Sequence, residues 1–338
     1  GVALHELGRF DDALASYDRA LALDPDDAEC QRNRAMTLLL LGRFADGWEA
    51  YEARWHTARF KGQTRARQKP RWTAGGGGGA TVLLRAEQGL GDTLQFARYA
   101  PMVAAAGQRV VLECPEALVR LMTSLDGVVQ VMEQGGGSPP PRHDYQVPLM
   151  SLPGEFATDL STIPADVPYL RAAESDTAVW RRRLEKVAGP RIGIAWKGSP
   201  DHPRDRVRSP GLAPLLPLLK LPGAAFVSLQ KDGAPDLAAH GATAVIDMTA
   251  DLSDFAATAA LVDCLDLIVT CDTAVGHLAG ALGRPVAMLL PHVPEWRWLL
   301  ERDDTPWYPT MRLFRQPAAG DWDGAIDALG VYISRHWL

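Results

Sequence analysis

Two strand-to-helix junctions near opposite ends of the chain constrain its fold most. At the first, the apolar run Thr81–Arg85 meets a helical segment, Thr93–Ala100, across the polar and glycine-containing segment 87–92. At the second, Leu265–Thr270 has the pattern of a buried strand and Asp272 opens a helical segment. Such junctions bring backbone amides and a carboxylate to the carboxyl edge of a sheet, where open α/β folds bind ligands. The two junctions together predict two halves with a nucleotide-binding type of fold that face one cleft.

Strand-like and helical segments alternate along most of the chain. This alternation predicts an α/β fold with parallel, doubly wound sheets. A helical segment, Asp176–Val187, is expected to bridge the two halves, and a last helix is expected within Trp322–Leu338. The predicted strands are Thr81–Arg85, Arg109–Cys114, Val128–Met132, Tyr145–Pro148, Arg191–Trp196, Ala225–Leu229, Ala244–Asp247, Leu267–Thr270 and Pro285–Leu290.

The first part of the chain is an internal repeat. Leu7–Phe10 (Leu-Gly-Arg-Phe) returns as Leu41–Phe44, and Tyr17 returns as Tyr51, so the period is 34 residues. Paired helices with this period are typical of tetratricopeptide repeats (TPRs). The helices are expected at about 11–23, 27–41 and 44–57. Since one and a half repeats cannot bury their faces alone, they should pack on the next domain or extend an upstream array. Gly1 begins inside a helical pattern without a cap, so we expect the natural protein to continue upstream.

Length and composition place further bounds on the protein. A chain of 338 residues predicts two or three domains, which we place at 1–68, 69–172 and 173–338. The net charge is −6 and the Lys and Arg residues are scattered, so a nucleic-acid groove is not expected. The long apolar runs are interrupted before the roughly 18 residues that a membrane span needs. The four cysteines lack metal-ligand spacing, which favours a reducing cytoplasm and no metal site.

Two motifs resemble those of a known enzyme family. Residues 89–94 (Gly-Leu-Gly-Asp-Thr-Leu) resemble the N-terminal loop of bacterial lipopolysaccharide heptosyltransferases. Asp272-Thr273-Ala274, followed by His277, resembles their donor-phosphate motif. The resemblance implies the GT-B architecture, in which two Rossmann-like domains face a cleft: here the acceptor-side domain at 69–172 and the nucleotide-sugar domain at 173–338. A fusion to TPR helices is similar to bacterial protein glycosyltransferases, including those that act on flagellin, and more distantly to O-GlcNAc transferases.

Asp92 is the candidate general base. A carboxylate in the cleft can take a proton from an acceptor hydroxyl as that hydroxyl attacks a sugar's anomeric carbon. The resemblance implies the same role, because the matching Asp of heptosyltransferases holds it. The alternative is that Asp92 and Gln95 form a capping box at the start of the helix. The neighbouring residues Glu87, Gln88 and Gly91 are candidates for contacting the acceptor or the sugar.

The segment from Asp272 to His277 is the candidate diphosphate site. Free amides and the dipole at a helix N-terminus favour an anion. Thr273 and His277 are four residues apart and share a helix face, so both side chains can point at one phosphate group. The alternative is a capped, buried helix with a satisfied histidine. Gly276 either permits close approach of the ligand or packs against the sheet.

Further candidates follow the predicted strands. The polar loop after Trp196 offers cations that can neutralise a leaving diphosphate, with a solvated loop as the alternative. After the strand that ends at Leu290, an aromatic and ionic segment suits a sugar ring or, equally, core packing. The candidates in these segments are Lys197, Ser199, Arg204, Arg206 and Arg208 for the diphosphate, Gln230 and Lys231 for the base or ribose, and Glu295, Trp296 and Arg297 for the sugar or acceptor.

The resemblance implies a cytoplasmic bacterial glycosyltransferase. It would move a sugar from a nucleotide-sugar, of open nucleobase, to a Ser or Thr hydroxyl of a protein docked on the TPR helices, such as a flagellin-like protein. Transfer would proceed with inversion and without a metal or a resident cofactor. Two alternatives stay open: transfer to a glycan or lipopolysaccharide, and a non-catalytic TPR scaffold with a degenerate nucleotide-sugar module.

Overall fold

Two parallel sheets follow a helical N-terminal segment. The computed structural model describes residues 1–60 and 69–338. The strands are β1 Thr81–Arg85, β2 Arg109–Cys114, β3 Val128–Glu133, β4 Tyr145–Pro148, β5 Arg191–Ala195, β6 Ala225–Ser228, β7 Ile246–Asp247, β8 Leu267–Cys271, β9 Val286–Leu290 and β10 Met311–Arg315. The first sheet has the order β3-β2-β1-β4 and the second the order β10-β9-β8-β5-β6-β7. All the strand pairs within them are parallel.

Helices precede the sheets and connect their strands. They are α1 Val2–Glu6, α2 Phe10–Leu23, α3 Ala28–Leu40, α4 Phe44–Tyr51, α5 Leu90–Phe96, α6 Ala100–Ala105, α7 Glu116–Met122, α8 Leu152–Glu155, α9 Glu174–Arg183, α10 Asp205–Arg208, α11 Ala234–Ala239, α12 Phe255–Val262, α13 Ala274–Ala281 and α14 Trp322–His336. No helix in the described ranges is both long and apolar enough to cross a membrane.

The predicted fold class is confirmed, and the nine predicted strands all appear. The strand predicted at Ala244–Asp247 is shorter, because pairing begins only at Ile246. The strand β10 was not predicted, although it pairs with β9 over five residues. The domain boundary at 172 and 173 stays a prediction. The boundary at 68 and 69 meets residues 61–68, which lie outside the described residues.

The repeat helices lie where the 34-residue period predicts them. The turns before α2 and α4 contain Gly8 and Gly42, with φ of +73° and +76°, a conformation that glycine adopts without strain. The last repeat helix is shorter than predicted, since α4 ends at Tyr51 and continues as a 3-10 turn, Glu52–His56. The second repeat therefore ends in a tight turn that points its residues toward the first sheet.

The second repeat packs on both halves of the α/β module. The Trp48 ring meets the Trp296 ring edge to face, with 5.3 Å between centroids. The Trp48 indole N–H donates to the carbonyl of Thr158 at 2.9 Å. Phe44 lies against Trp307, which like Trp296 lies between β9 and β10 of the second half. Of the two packing arrangements expected for the repeats, packing on the next domain is the one observed.

A buried ion pair joins the 3-10 turn to the first junction. Arg54 is fully buried and donates to both carboxylate oxygens of Glu87, at 3.0 and 2.8 Å. The same guanidinium donates to the Ser151 hydroxyl at 2.8 Å and to Glu52 at 2.7 Å. Because charged groups out of water need partners on every side, this network holds the repeat segment in one orientation on the sheet.

We expect Arg54→Met to lower the free energy of unfolding by about 3–5 kcal/mol, because Glu87 would be buried without its cation. Arg43→Met is the matched control, since Arg43 pairs with Asp46 at 2.7 Å with both side chains more than half exposed. Such surface pairs contribute about 0–1 kcal/mol. Denaturant unfolding checks both, and equal small losses would contradict the structural role of Arg54.

Candidate functional site

A cleft of about 430 Å³ lies between the carboxyl ends of β1, β5, β8 and β9. Strand ends of both sheets therefore contribute to one site. The described residues that line it are Arg59, Gln88, Gly89, Leu90, Gly91, Asp92, Gly198, Ser199, His202, Arg204, Arg208, Asp272, Thr273, Ala274, His277, Pro291, Glu295 and Arg297.

Asp92 lies in the cleft and also stabilises the start of α5. The helix begins at Leu90 with Gly89 as its N-cap, so Asp92 is the third helical residue. Its Oδ2 accepts from the Gly89 N–H at 2.7 Å. The predicted capping box with Gln95 is therefore wrong: glycine makes the extended turn, and the box closes from Asp92 back to Gly89. Gln95 is fully buried and serves another contact.

Arg297 reaches from the second half to the candidate base in the first. Its Nη2 donates to Asp92 Oδ1, and its Nε donates to the Gln95 side-chain oxygen. Its Nη1 lies 2.6 Å from Glu295, and the guanidinium lies 4.5 Å from the centre of the Trp296 ring. One cation thus pairs with two carboxylates, and it fixes the Asp92 side chain from the opposite side of the cleft.

His277 forms one wall of the cleft and is 4% exposed. Its ring stacks on Trp298, and its Nδ1 lies 3.0 Å from the Tyr308 hydroxyl. Burial lowers the pKa of His277, so the ring is neutral at pH 7. Burial also raises the pKa of Tyr308, which therefore keeps its proton. We assign the His277 tautomer from the Asp272 carboxylate, which favours a proton on Nε2 and leaves Nδ1 to accept from the Tyr308 hydroxyl. The Nε2 nitrogen lies 3.7 Å from Asp272 Oδ1.

The side chains around the start of α13 divide between ligand-facing and structural roles. Thr273 is the N-cap of α13, and its hydroxyl lies 3.0 Å from that of Thr270. A Cβ on Gly276 would lie 2.4 Å from Met288 and 3.1 Å from Thr270. Gly276 therefore packs against the sheet, which is one of its two predicted roles. Burial raises the pKa of Asp272, but the neighbouring Nε2–H of His277 and the charge of Arg208 outweigh burial, and the carboxyl stays ionised.

Arg208 is the arginine of the basic loop that is best fixed at the cleft. Its Nη1 donates to the backbone carbonyl of Asp272 at 3.0 Å, so it lies beside the N-terminus of α13. Arg204 lines the rim and also donates to Glu6 of α1 at 3.1 Å. Lys197 instead pairs with Asp236 at 2.7 Å, and Gln230 accepts from the Trp196 and Lys197 amides.

The structure brings most of the predicted site residues together but not all of them. The predicted residues outside the described cleft lining are Lys197, Arg206, Gln230, Lys231, Gly276, Glu87 and Trp296. Glu87 and Trp296 are held by the repeat segment, and Gln230 shapes the basic loop, so all three have structural contacts in place of a cleft position.

Two cleft residues with titratable side chains, Arg59 and His202, were not proposed as site residues from the sequence. The Nδ1 of His202 accepts from the Arg204 N–H at 3.2 Å, which leaves Nε2 as a donor. Burial, assisted by the charge of Arg208, lowers the pKa of His202 and keeps it neutral. The position of His202 in the polar loop between Lys197 and Arg208 was the sequence feature that could have identified it as a site residue. No group of three or more His, Cys, Asp or Glu residues in the described ranges is arranged to hold a metal ion.

Comparison with known proteins agrees with this architecture. The fold and the cleft define a GT-B module fused to TPR helices. Residues 1–42 match the TPR repeat family, and residues 236–297 match glycosyltransferase family 9 (heptosyltransferase). The chain therefore carries one segment similar to TPR repeats and another similar to glycosyltransferase family 9.

The similar proteins include one curated relative and two solved structures with the same fold. Protein FlbA of Caulobacter vibrioides is 29% identical to this chain over an alignment of 348 positions, which covers 94% of this chain and 57% of FlbA. The E. coli ADP-heptose LPS heptosyltransferase II structure has a TM-score of 0.54 at 15% identity, covering 75% of this chain and 99% of that one. The iron-containing dodecameric glycosyltransferase TibC of enterotoxigenic E. coli has a TM-score of 0.50 at 15% identity, covering 74% and 66%.

We expect Gly91→Ala to destabilise the protein. A Cβ at Gly91 would lie 2.9 Å from His277 Cδ2, and Trp298 and Tyr308 prevent that ring from moving away. Alanine favours a helix by about 0.5–1 kcal/mol, whereas overpacking costs about 1–3 kcal/mol, so a net loss of about 1–2 kcal/mol should appear in denaturant unfolding.

Gly75→Ala is the control for this substitution, because nothing lies within 4 Å of a Cβ at Gly75. It should change stability by less than about 0.5 kcal/mol. A Gly91 variant as stable as this control would show that the two helices do not depend on their close approach.

Proposed function

We propose that the protein is a metal-independent, inverting glycosyltransferase that moves a sugar from a nucleotide-sugar to a Ser or Thr hydroxyl of a protein. One observation carries the proposal: Asp92 from the first half lies in the same cleft as Arg208 and the α13 N-terminus from the second. A base and an anion site on opposite walls are what transfer between an acceptor hydroxyl and a diphosphate-linked sugar requires.

The second half is suited to the donor diphosphate. The amides at the start of α13, the Arg208 guanidinium and the Nε2–H groups of His202 and His277 all offer donors to one anion. Arg208 is anchored on the Asp272 carbonyl, so little reorganisation is needed when the ligand binds. ADP-sugars are the first donors to test, because the similar E. coli heptosyltransferase II is described as using ADP-heptose.

The transfer step uses the two walls together. Asp92 removes the proton of the acceptor hydroxyl while that oxygen forms its bond to the anomeric carbon. The bond from this carbon to the diphosphate oxygen breaks, and the electron pair leaves with the phosphate, where Arg208 and the helix amides stabilise the charge. The bonds to Gly89 and Arg297 use one lone pair on each Asp92 oxygen, so a lone pair remains on each for the proton.

A protein acceptor is favoured by the repeat segment. TPR helices present surfaces suited to peptides, and a groove of about 670 Å³ runs along α3, α4 and the 3-10 turn. The alternative acceptor is a glycan or lipopolysaccharide, which the similarity to heptosyltransferase II supports. Incubation with a labelled ADP-sugar and either protein or lipopolysaccharide distinguishes the two acceptors by which fraction gains label.

Asp92→Asn should abolish transfer, lowering kcat by about 10²–10⁴, because asparagine cannot take the proton. It retains an oxygen that can accept from Gly89, so donor binding should be unchanged. Turnover assays and calorimetric titration with the nucleoside diphosphate measure the two properties. Asp46→Asn, at an exposed surface pair, is the control. Full turnover by the Asp92 variant would rule out its role as base.

Arg208→Gln should weaken nucleoside diphosphate binding about tenfold, because a charge-assisted contact with the phosphates is lost. The measurement is a thermal-shift screen of ADP, UDP, GDP, CMP and dTDP. A selective ligand at about 100 times its Kd adds about 2.7 kcal/mol to the wild type, and roughly half of that should remain in the variant. Arg206→Gln, on the same loop but outside the described cleft lining, should respond as wild type. If no nucleotide shifts the wild type, the non-catalytic scaffold becomes the better account.

A further inference from the structure

The loop that carries the candidate base contains a strained residue. Gln88 has a φ of +63°, a left-handed conformation that is unusual for a residue other than glycine or asparagine. Gln88 directly precedes Gly89, whose N–H fixes Asp92 Oδ2. Strained backbone of this kind persists only where the surroundings determine it fully. The groups that hold Gln88 therefore also determine where the Asp92 carboxylate lies.

A residue of the second repeat provides a direct polar contact to Gln88. The Gln88 Nε2 donates to the Tyr51 hydroxyl at 2.9 Å and lies 2.9 Å from the Met150 sulfur. A thioether can only accept a hydrogen bond, so the amide nitrogen, not the oxygen, faces this pair. Tyr51 is 4% exposed and ends α4, so its hydroxyl has a fixed position.

The preceding loop residue is held from the same side. Glu87 receives two hydrogen bonds from Arg54, three residues beyond Tyr51. Two successive residues of the base loop are thus bound by side chains of the repeat segment. The contacts continue to the base itself, from Tyr51 to Gln88, from the Gly89 amide to Asp92, and finally to Arg297 on the other half.

We propose that Tyr51 is a positioning residue for sugar transfer. This proposal rests on the proposed role of Asp92 as base. By holding Gln88 in its left-handed conformation, the Tyr51 hydroxyl aims the Gly89 N–H and places the Asp92 carboxylate. The second repeat thus takes part in catalysis itself, in addition to any docking of an acceptor.

The test is Tyr51→Phe, which removes only the hydroxyl. We expect kcat to fall about tenfold or more through misplacement of the base, with the donor KM unchanged within about twofold. Amide hydrogen exchange over residues 88–92 should become faster. Tyr17→Phe is the matched control, because Tyr17 holds the equivalent position in the first repeat and packs within that repeat's own apolar cluster. It should equal wild type in both measurements.

A second variant separates positioning from a general loss of packing. Gln88→Gly can adopt the left-handed conformation without strain and has no side chain to bond Tyr51. In that background, adding Tyr51→Phe should lower kcat no further, since the two changes remove one contact. Independent, multiplying effects would overturn the proposal.

The outcomes for this inference and for the proposed function differ. A Tyr51→Phe protein with wild-type exchange and wild-type kcat overturns the positioning role while leaving glycosyl transfer established. If the wild type itself turns over no nucleotide-sugar, the proposed function fails, and the exchange comparison alone decides whether Tyr51 orders the loop.

Discussion

The contact between the first turns of α5 and α13 sets the geometry of the whole cleft. Each helix follows a central strand of its own sheet, and the two meet where Gly91 leaves room for the edge of His277. A side chain at this point would separate the two walls by the width of a methyl group. Because His277 is itself packed against Trp298 and Tyr308, the core of the second half fixes the position of its ring. The distance between base and anion site is therefore a property of core packing.

Buried charge determines the orientation of the parts that packing brings together. Arg297 contacts a carboxylate in each half, and Arg54 joins the repeat segment to the first sheet. Buried ion pairs contribute little net stability, because desolvation offsets their attraction. They are satisfied in one geometry only, however, and any other arrangement leaves a charge without a partner. In this molecule the buried ion pairs therefore determine which of several possible apolar packings is adopted.

The sequence predicted the fold well because strand burial and repeat spacing are local patterns. Its misses have physical reasons. Strand β10 begins and ends with polar neighbours and leaves Arg312 exposed at an edge, so its pattern resembles a loop. The capping box was misplaced by three residues, because Gly89 was not considered as an N-cap. Lys197 was placed at the cleft because it directly follows a strand, but its side chain turns to Asp236. No local pattern indicates a partner 39 residues away.

The same limitation applies to contacts between the parts. Nothing in the repeat motif distinguishes Tyr51 from Tyr17, yet one bonds a cleft loop and the other lies in a separate apolar cluster. Trp296 was a sugar-contact candidate because aromatic rings serve both sugars and cores. The contact of its ring with Trp48 shows that Trp296 belongs to the core.

The division of α4 between two kinds of structure has a consequence for building chimaeras. By its spacing, α4 is a repeat helix, but its buried face belongs to the α/β module through Phe44, Trp48 and Tyr51. The TPR family match ends at residue 42, immediately before this helix. Because Leu39 and Leu40 of α3 share this core cluster with α4, an exchange of recognition modules between related chains should join the new array before α3 and retain residues 28–56 with their original partner. A junction placed after α4 would replace Phe44, Trp48 and Tyr51, so the α/β module would face a helix from another protein.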